Sequence, residues 1–292
     1  MEDIAIGIVS IFSGIVVGSL AGLIGVGGGT IMVPLFRLGF GLDVLVATGT
    51  SLFAIVPTAM SAALGHIRSR TSVVHIGLIA GFFGAIVSPL GVQFADHSPS
   101  WLVMLVTAVV MIYTAGSMLI KVFRSKRLAR LSKIISSETV SGDNPDLANA
   151  DASCNSSIKS HKVFTPTDLK FKKFYMLAAG IGVIAGLLAG YVGVGGGFLM
   201  IPLMMNFMNM PFKNASGTSL TAVSILSIPA LITQLILGNV NFIVGVCICL
   251  GSIPGAQLGA WLSTRISDRV LRICFSIFLV VMAVILVGGE LF

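Results

Sequence analysis

The sequence predicts an all-α polytopic membrane protein with two inverted repeats of about four hydrophobic segments each and glycine-rich broken helices near the midplane. Hydrophobic residues make up 55% of the 292 residues and charged residues only 10%, against about 25% charged residues in soluble domains. Long apolar runs, such as residues 73–95, are near the ~20 residues that a helix needs to cross a bilayer. One set of motifs also occurs twice along the chain.

The internal repeat has an offset of 168 residues. At this offset GLIGVGGGTIMVPL (22–35) aligns with GYVGVGGGFLMIPL (190–203), with nine identities in fourteen positions. A Gly-Thr-Ser triplet follows in each copy and ends at Ser51 and Ser219. Duplicated units of this kind are typical of transporter folds.

A polar linker is predicted between the repeats, over residues 124–172. It is rich in Ser, Asp, Asn and Lys, and its apolar surface is too small to offset the entropy lost on ordering, so no fixed fold is expected. The first transmembrane repeat is then residues 1–123 and the second is residues 173–292.

Hydropathy divides each repeat into four long segments and one short apolar piece, which follows the glycine cluster. The short pieces, 30–40 and 198–210, are too short to span a bilayer as straight helices. The long segments are residues 4–24, 44–64, 73–95, 101–122, 174–192, 215–237, 241–263 and 270–289.

Charge placement predicts the orientation in the membrane. If each repeat crosses an odd number of times, 17 of the 18 Lys and Arg residues share one side and only Arg37 lies on the other; four crossings would divide them 13 to 5. Because basic residues collect in cytoplasmic loops, we predict inverted repeats in the cell (inner or plasma) membrane, a cytoplasmic linker and both termini outside. The same rule accounts for the net charge of +7 without nucleic-acid binding.

The duplicated glycine cluster is the strongest candidate site. It cannot continue a stable helix, because each glycine costs about 1 kcal/mol relative to alanine. Broken backbone inside a bilayer is tolerated where it is buried in protein or lines a watery cavity, and it exposes N–H groups at the positive end of the next helix, which favours an anion. The predicted binding residues are Gly25, Gly27, Gly28, Gly29, Gly193, Gly195, Gly196 and Gly197.

Hydroxyl side chains near the clusters complete the predicted site. Thr30 is expected to cap the short helix of the first repeat. Further hydroxyl donors are expected at the start of the next long helix of each repeat, from Thr50, Ser51, Thr218 and Ser219.

Other glycine patterns suggest other roles. Gly14 with Gly18, and Gly255 with Gly259, have the spacing of close helix packing, which is our interpretation of them. A dinucleotide-binding loop would need a preceding strand in a soluble α/β unit, and the membrane-length runs do not provide one.

The four histidines are scattered, and the sequence predicts no catalytic constellation, metal or cofactor. His66, beside Arg68 and Arg70, is interpreted as a cytoplasmic anchor of its helix, with attraction of anions as the alternative. His75 is the one candidate for an intramembrane proton relay, and its position near the interface argues against that role.

The GVGGG motif, the short apolar piece with a proline and the Gly-Thr-Ser triplet, all present twice, resemble the TauE/SafE family of sulfite and organosulfonate exporters. The resemblance covers both repeats and not the linker. It implies a permease for small sulfur-containing anions. Alternating access, with export favoured by the membrane potential, is the expected mechanism.

Two alternatives remain open from the sequence. One is a membrane-embedded enzyme or assembly factor that handles a sulfur donor through a thiol of Cys247, Cys249 or Cys274. The other is a cation transporter, although the apolar runs lack the acidic residues that such a site usually employs. The expected partners are a small anion and the lipid bilayer; whether the protein forms a homo-oligomer is left open.

Overall fold

The computed structural model describes residues 2–118 and 168–291, and the side chains of residues 9–118 and 174–285. Most of the predicted linker, residues 124–167, lies outside the described residues. Its C-terminal end, from Asp168, already belongs to a helix.

The described chain forms two sets of five helices, and α2 continues as a π-helix over Leu35–Gly39. The helices of the first set are α1 (Glu2–Ile24), α2 (Gly29–Pro34), α3 (Val44–Arg68), α4 (Val74–Asp96) and α5 (Ser100–Met118). Those of the second set are α6 (Asp168–Val192), α7 (Gly197–Phe207), α8 (Phe212–Ile236), α9 (Phe242–Arg265) and α10 (Asp268–Leu291). The repeat offset carries each helix onto its counterpart, and α3 and α8 begin and end at equivalent residues.

Six of the described helices are long and apolar enough to cross a membrane by length and composition: α3, α4, α5, α6, α8 and α9. Large apolar side chains, among them Phe82, Phe94 and Ile236, are exposed on their outer faces. Such surface is stable in contact with lipid and not with water. The predicted all-α membrane fold is confirmed.

Glycines allow helices of the two repeats to pack closely at two interfaces, α1 against α9 and α4 against α6. A Cβ atom on Gly14 would lie 3.2 Å from the Cα atom of Gly251, and one on Gly18 would lie 2.7 Å from the Cα atom of Ser252. Gly255 and Gly259 meet backbone atoms of α1 in the same way. The packing role predicted for these glycine pairs is confirmed.

The central helices α3 and α8 run antiparallel. Gly49, near the start of α3, packs against the Asn239 carbonyl just beyond the end of α8. Gly217, near the start of α8, packs against His66 and against the Thr71 carbonyl just beyond the end of α3. These two equivalent helices, one from each repeat, therefore point in opposite directions.

The start of each short helix lies back against the long helix that precedes it. A Cβ atom on Gly28, at the start of α2, would lie 3.4 Å from the Ala21 Cβ atom and 3.6 Å from the Val17 Cγ1 atom of α1. Gly196, at the start of α7, packs in the same way against Ala185 and Ala189 of α6. The glycine loops are therefore the turns of two helical hairpins.

Candidate functional site

The candidate site consists of two glycine loops, residues 25–28 between α1 and α2 and residues 193–196 between α6 and α7. Every residue in both loops is buried. Gly28 and Gly196 are the N-caps of α2 and α7, with φ angles of 82° and 67°. Residues with a side chain pay about 1–2 kcal/mol in this left-handed region, so glycine permits the abrupt reversal at both positions.

The two loops contact each other at the centre of the protein. A Cβ atom on Gly29 would overlap the carbonyl oxygen of Val194, and one on Gly197 would lie 2.7 Å from the carbonyl oxygen of Val26. These contacts are equivalent under the repeat. The predicted glycines of the two repeats are thus brought together in one cluster.

Ile55 of α3 and Val223 of α8 pack against both loops. A Cβ atom on Gly27 would lie 3.7 Å from Ile55 Cγ2 and 3.1 Å from Val223 Cγ1; for Gly195 the distances are 3.2 Å and 3.3 Å. Both side chains are fully buried. The sequence analysis did not single them out, because an apolar residue in an apolar helix has no distinguishing pattern.

The loops present backbone donors that have no partner. The N–H groups of residues 27–30 and 195–198 make no hydrogen bond to any described residue. In native structures more than about 90% of buried backbone N–H groups are paired. Unpaired donors at the starts of α2 and α7, where the helix dipole is positive, favour a group that accepts hydrogen bonds and carries negative charge.

Serines of the Gly-Thr-Ser triplets hold the loops across the repeats. Ser219 Oγ on α8 donates a hydrogen bond to the carbonyl oxygen of Gly25 at 2.7 Å. Ser51 Oγ on α3 donates to the carbonyl oxygen of Gly193. Each glycine loop is therefore attached to a long helix of the other repeat.

Threonines of the same triplets bind the backbone of the other repeat. Thr50 Oγ1 accepts from the Asn241 N–H at 2.9 Å, and Thr218 Oγ1 accepts from the Val73 N–H at 3.0 Å. The triplets lie about two turns into α3 and α8, near the helix starts as predicted. Their hydroxyl groups join the repeats, a role that the sequence analysis did not foresee.

Two hydroxyl groups at the first glycine loop are buried and have no hydrogen-bond partner among the described residues. Thr30 does not cap α2, since the N-cap is Gly28 and no side-chain cap bond is made, so that prediction is wrong. Instead Thr30 Oγ1 has no hydrogen-bond partner, and neither has Ser216 Oγ, which lies against Gly25. Both side chains are fully buried.

The histidines and cysteines whose side chains are described differ in how far they are buried. His66 is fully buried and His75 is exposed, so His66, interpreted as an anchor, lies inside the helix bundle. Cys274 is exposed, Cys247 is half-buried and Cys249 is buried. Among the described side chains, no group of three His, Cys, Asp or Glu residues is close enough together to hold a metal ion.

The family model described as "Sulfite exporter TauE/SafE" matches residues 10–286, which include both repeats and both glycine loops. The chain belongs to the TauE/SafE family. The resemblance seen in the motifs is confirmed.

Relatives of this TauE/SafE protein carry the names of transporters. It is 27% identical to the probable membrane transporter protein YdhB of Bacillus subtilis, over 87% of this chain and 89% of YdhB. It is 26% identical to YunE of the same organism, over 97% and 96% of the two chains, and 26% identical to MJ0441 of Methanocaldococcus jannaschii, over 93% and 92%. No solved structure matches. The protein is a membrane transporter and not an enzyme.

Replacing Ser219 with alanine is expected to destabilise the attachment of the first glycine loop. The change leaves the buried Gly25 carbonyl unpaired, which costs about 1–3 kcal/mol and lowers the melting temperature by at least about 2 °C. Thermal unfolding of the purified protein in detergent measures the effect. The matched control is Ser224→Ala, because the Ser224 hydroxyl donates within its own helix, to Thr221. Equal melting temperatures for the two variants would contradict the attachment.

Proposed function

We propose that the protein is a secondary transporter that exports small sulfur-containing anions, such as sulfite or organosulfonates, by alternating access. The observation that carries the proposal is the pair of buried glycine loops whose N–H groups at residues 27–30 and 195–198 have no partner. A sulfite or sulfonate group has three oxygens that accept hydrogen bonds, so it can bind several of these donors at once.

The chemistry of the site supports an anion over a cation. The starts of α2 and α7 present N–H groups and positive dipole ends, and no carboxylate lies in the loops. The unpartnered hydroxyl groups of Thr30, from the first repeat, and Ser216, from α8 of the second, add two donors beside the first glycine loop. Phe198 stands at the position equivalent to Thr30, so the first half of the site is the more polar one.

The exchange of contacts between repeats supports alternating access. Each loop is bonded to α3 or α8 of the other repeat, and the two loops touch. The loops therefore lie at the interface between the repeats, where rocking of one repeat against the other would expose a central site to each side in turn.

The contacts also support inverted repeats with a cytoplasmic linker. Because α3 and α8 are antiparallel, the end of α3 and the start of α8 share one side of the protein. Arg68, Arg70, Lys213 and Arg265 lie at this end. Basic residues favour the cytoplasm, and an inside-negative potential favours export of an anion by about 2.3 kcal/mol per charge per 100 mV.

The test is uptake of radiolabelled sulfite into proteoliposomes under an inside-positive potential. The intact protein is compared with Gly28→Ala plus Gly196→Ala, which is expected to reduce uptake at least about 10-fold because alanine disfavours both left-handed turns. Gly116→Ala plus Gly180→Ala is the matched control, since a Cβ atom at either position meets no atom within 4 Å.

The outcomes separate the parts of the proposal. Uptake that follows the potential and fails only in the loop variant supports an anion carrier with its site at the loops. Uptake unchanged in the loop variant would remove the glycine loops from the site. Gly28→Ala alone guards against misfolding, because the nearest atom to its methyl group is the flexible end of Met32, at 3.3 Å.

A further inference from the structure

His66 is a buried titratable group that the proposed transport site does not yet explain. Its side chain, near the end of α3, is fully buried. Both ring nitrogens have partners: Nδ1 lies 2.8 Å from Thr71 Oγ1, and Nε2 lies 3.0 Å from the carbonyl oxygen of Gly22. The hydroxyl group of Thr71 also lies 3.1 Å from the carbonyl oxygen of His66 itself.

These contacts satisfy two protonation states of the ring. A carbonyl oxygen only accepts, so Nε2 carries a hydrogen in both states. In the neutral ring the Thr71 hydroxyl donates to Nδ1. In the cation Nδ1–H donates to Thr71 Oγ1, and that hydroxyl turns to donate to the His66 carbonyl. The proton can therefore bind without leaving a polar atom unpaired and without moving a heavy atom.

The ring lies between the last turn of α1, which leads into the first glycine loop, and α8 of the second repeat. Gly22 is in the last turn of α1, three residues before Gly25. Gly217, of the second Gly-Thr-Ser triplet, is so close that a Cβ atom on it would lie 3.2 Å from His66 Cγ. A charge on this ring therefore arises beside both elements that hold the loop.

The charged side chains at this end of the protein are mostly basic. The elements that pack near it are α1, through Gly22, α8, through Gly217, and α9, whose Ala260 meets Gly65. At this end of these elements and of α3, the charged side chains are Arg68, Arg70, Lys213 and Arg265. The helix α10, which contacts α1 and α8, adds Asp268, Arg269 and Arg272 near its start. None of them is a hydrogen-bond partner of the ring. Because like charges disfavour an imidazolium and an anion favours it, the ring gains a proton most readily when an anion is bound nearby.

The second repeat shows that the fold does not need a titratable group here. Gln234 is the residue equivalent to His66; it is buried, and its Oε1 accepts from Asn239 Nδ2 at 3.1 Å. The backbone bonds from Asn239 to Gln234 and from Thr71 to His66 are both 3.0 Å. Glutamine thus fills the same place in the same backbone.

We propose that His66 is a proton-binding site linked to anion binding at the glycine loops, so that a proton and an anion each raise the affinity for the other. The inference rests on the proposed function. Reciprocal linkage of this kind typically amounts to about 5–150-fold in affinity.

The test is equilibrium binding of radiolabelled sulfoacetate to the purified full-length protein at about pH 8 and about pH 5.5, either side of the ordinary histidine range. A sulfonate keeps its charge over this range, whereas sulfite takes up a proton near neutral pH. We expect binding at least about 5-fold tighter at the lower pH. His66→Gln introduces the residue that the second repeat has at the equivalent position, so this variant is expected to fold and to bind with no dependence on pH.

Two results would overturn the inference: wild-type affinity that does not change with pH, or a pH effect that survives in His66→Gln. If that variant misfolds, Thr71→Val takes its place. Valine cannot accept a hydrogen bond from Nδ1–H of the cationic ring, so Thr71→Val is expected to move the midpoint of the pH effect to lower pH. Thr71→Ser keeps the hydroxyl group and is expected to keep the wild-type midpoint. An unchanged midpoint in Thr71→Val would also overturn the inference.

A measurement on His66 alone distinguishes failure of the proposed function from failure of the proposed proton site. If the wild-type protein binds neither sulfoacetate nor sulfite, the proposed function fails. The protonation of His66 is then followed by its ¹⁵N chemical shifts. The protein for this measurement has His75, His97 and His161 replaced by glutamine. We expect an Nε2–H ring that becomes an imidazolium on acidification while the protein stays folded; a ring that remains neutral until the protein unfolds would refute the proton site.

Discussion

Gly186→Ala is expected to lower the free energy of unfolding by about 2–3 kcal/mol, the usual cost of overpacking an interface. Gly186 lies where α6 crosses α4, and a Cβ atom there would lie 2.7 Å from the carbonyl carbon of Gly84. The obstructing atoms are backbone, so the two helices must separate. Helix propensity alone would predict the opposite sign, because alanine is about 1 kcal/mol more favourable than glycine in a helix.

Gly180→Ala on the same helix is the matched control for this packing effect. Gly180 is exposed, and a Cβ atom there meets no atom within 4 Å. This variant is expected to be as stable as the wild type, or more stable by up to about 1 kcal/mol. Thermal unfolding in detergent compares the two. Equal effects of both substitutions would refute close packing of α4 and α6.

Ile55→Glu is expected to abolish anion transport, with a loss of at least about 100-fold, a differential cost of about 2.7 kcal/mol. Ile55 packs against Gly27 and Gly195, one from each loop, and against Gly29 at the start of α2. A carboxylate at this position can accept hydrogen bonds from the unpartnered N–H groups and repels a second anion. A charged side chain at the membrane centre costs about 2.5–3.5 kcal/mol on insertion scales. Hydrogen bonds from the same N–H groups to the glutamate carboxylate reduce this cost.

Ile55→Gln separates charge from size in this experiment. Glutamine has nearly the same volume as glutamate and brings no charge, so it is expected to retain a measurable part of the uptake. Sulfite uptake into proteoliposomes is compared for both variants after size-exclusion chromatography has established that they fold. Equal uptake by the two variants would show that Ile55 does not border the anion site.

The positions of the helices and of the glycine breaks could be predicted from sequence. Apolar runs of membrane length predict where helices lie, and four glycines in five residues predict where backbone leaves the helix. The packing role of Gly14 and Gly18 followed from spacing alone, since only small residues four apart let two helices approach closely. The prediction that Thr30 caps α2 was wrong because α2 begins directly after Gly28, a glycine in the left-handed region, which is the N-cap residue.

Local sequence pattern was sufficient for the membrane class, the duplication and the two broken helices, because hydropathy and helix propensity act over a few residues. Only the tertiary structure decided that Ser51 and Ser219 bind loops of the opposite repeat, that Ile55 lies between the loops and that His66 is buried. The physical reason is that lipid and protein interior are equally apolar. A transmembrane helix therefore carries no hydrophobic pattern that distinguishes its buried face from its lipid face, and the pairing of helices is set by close packing and hydrogen bonds between residues far apart in the chain.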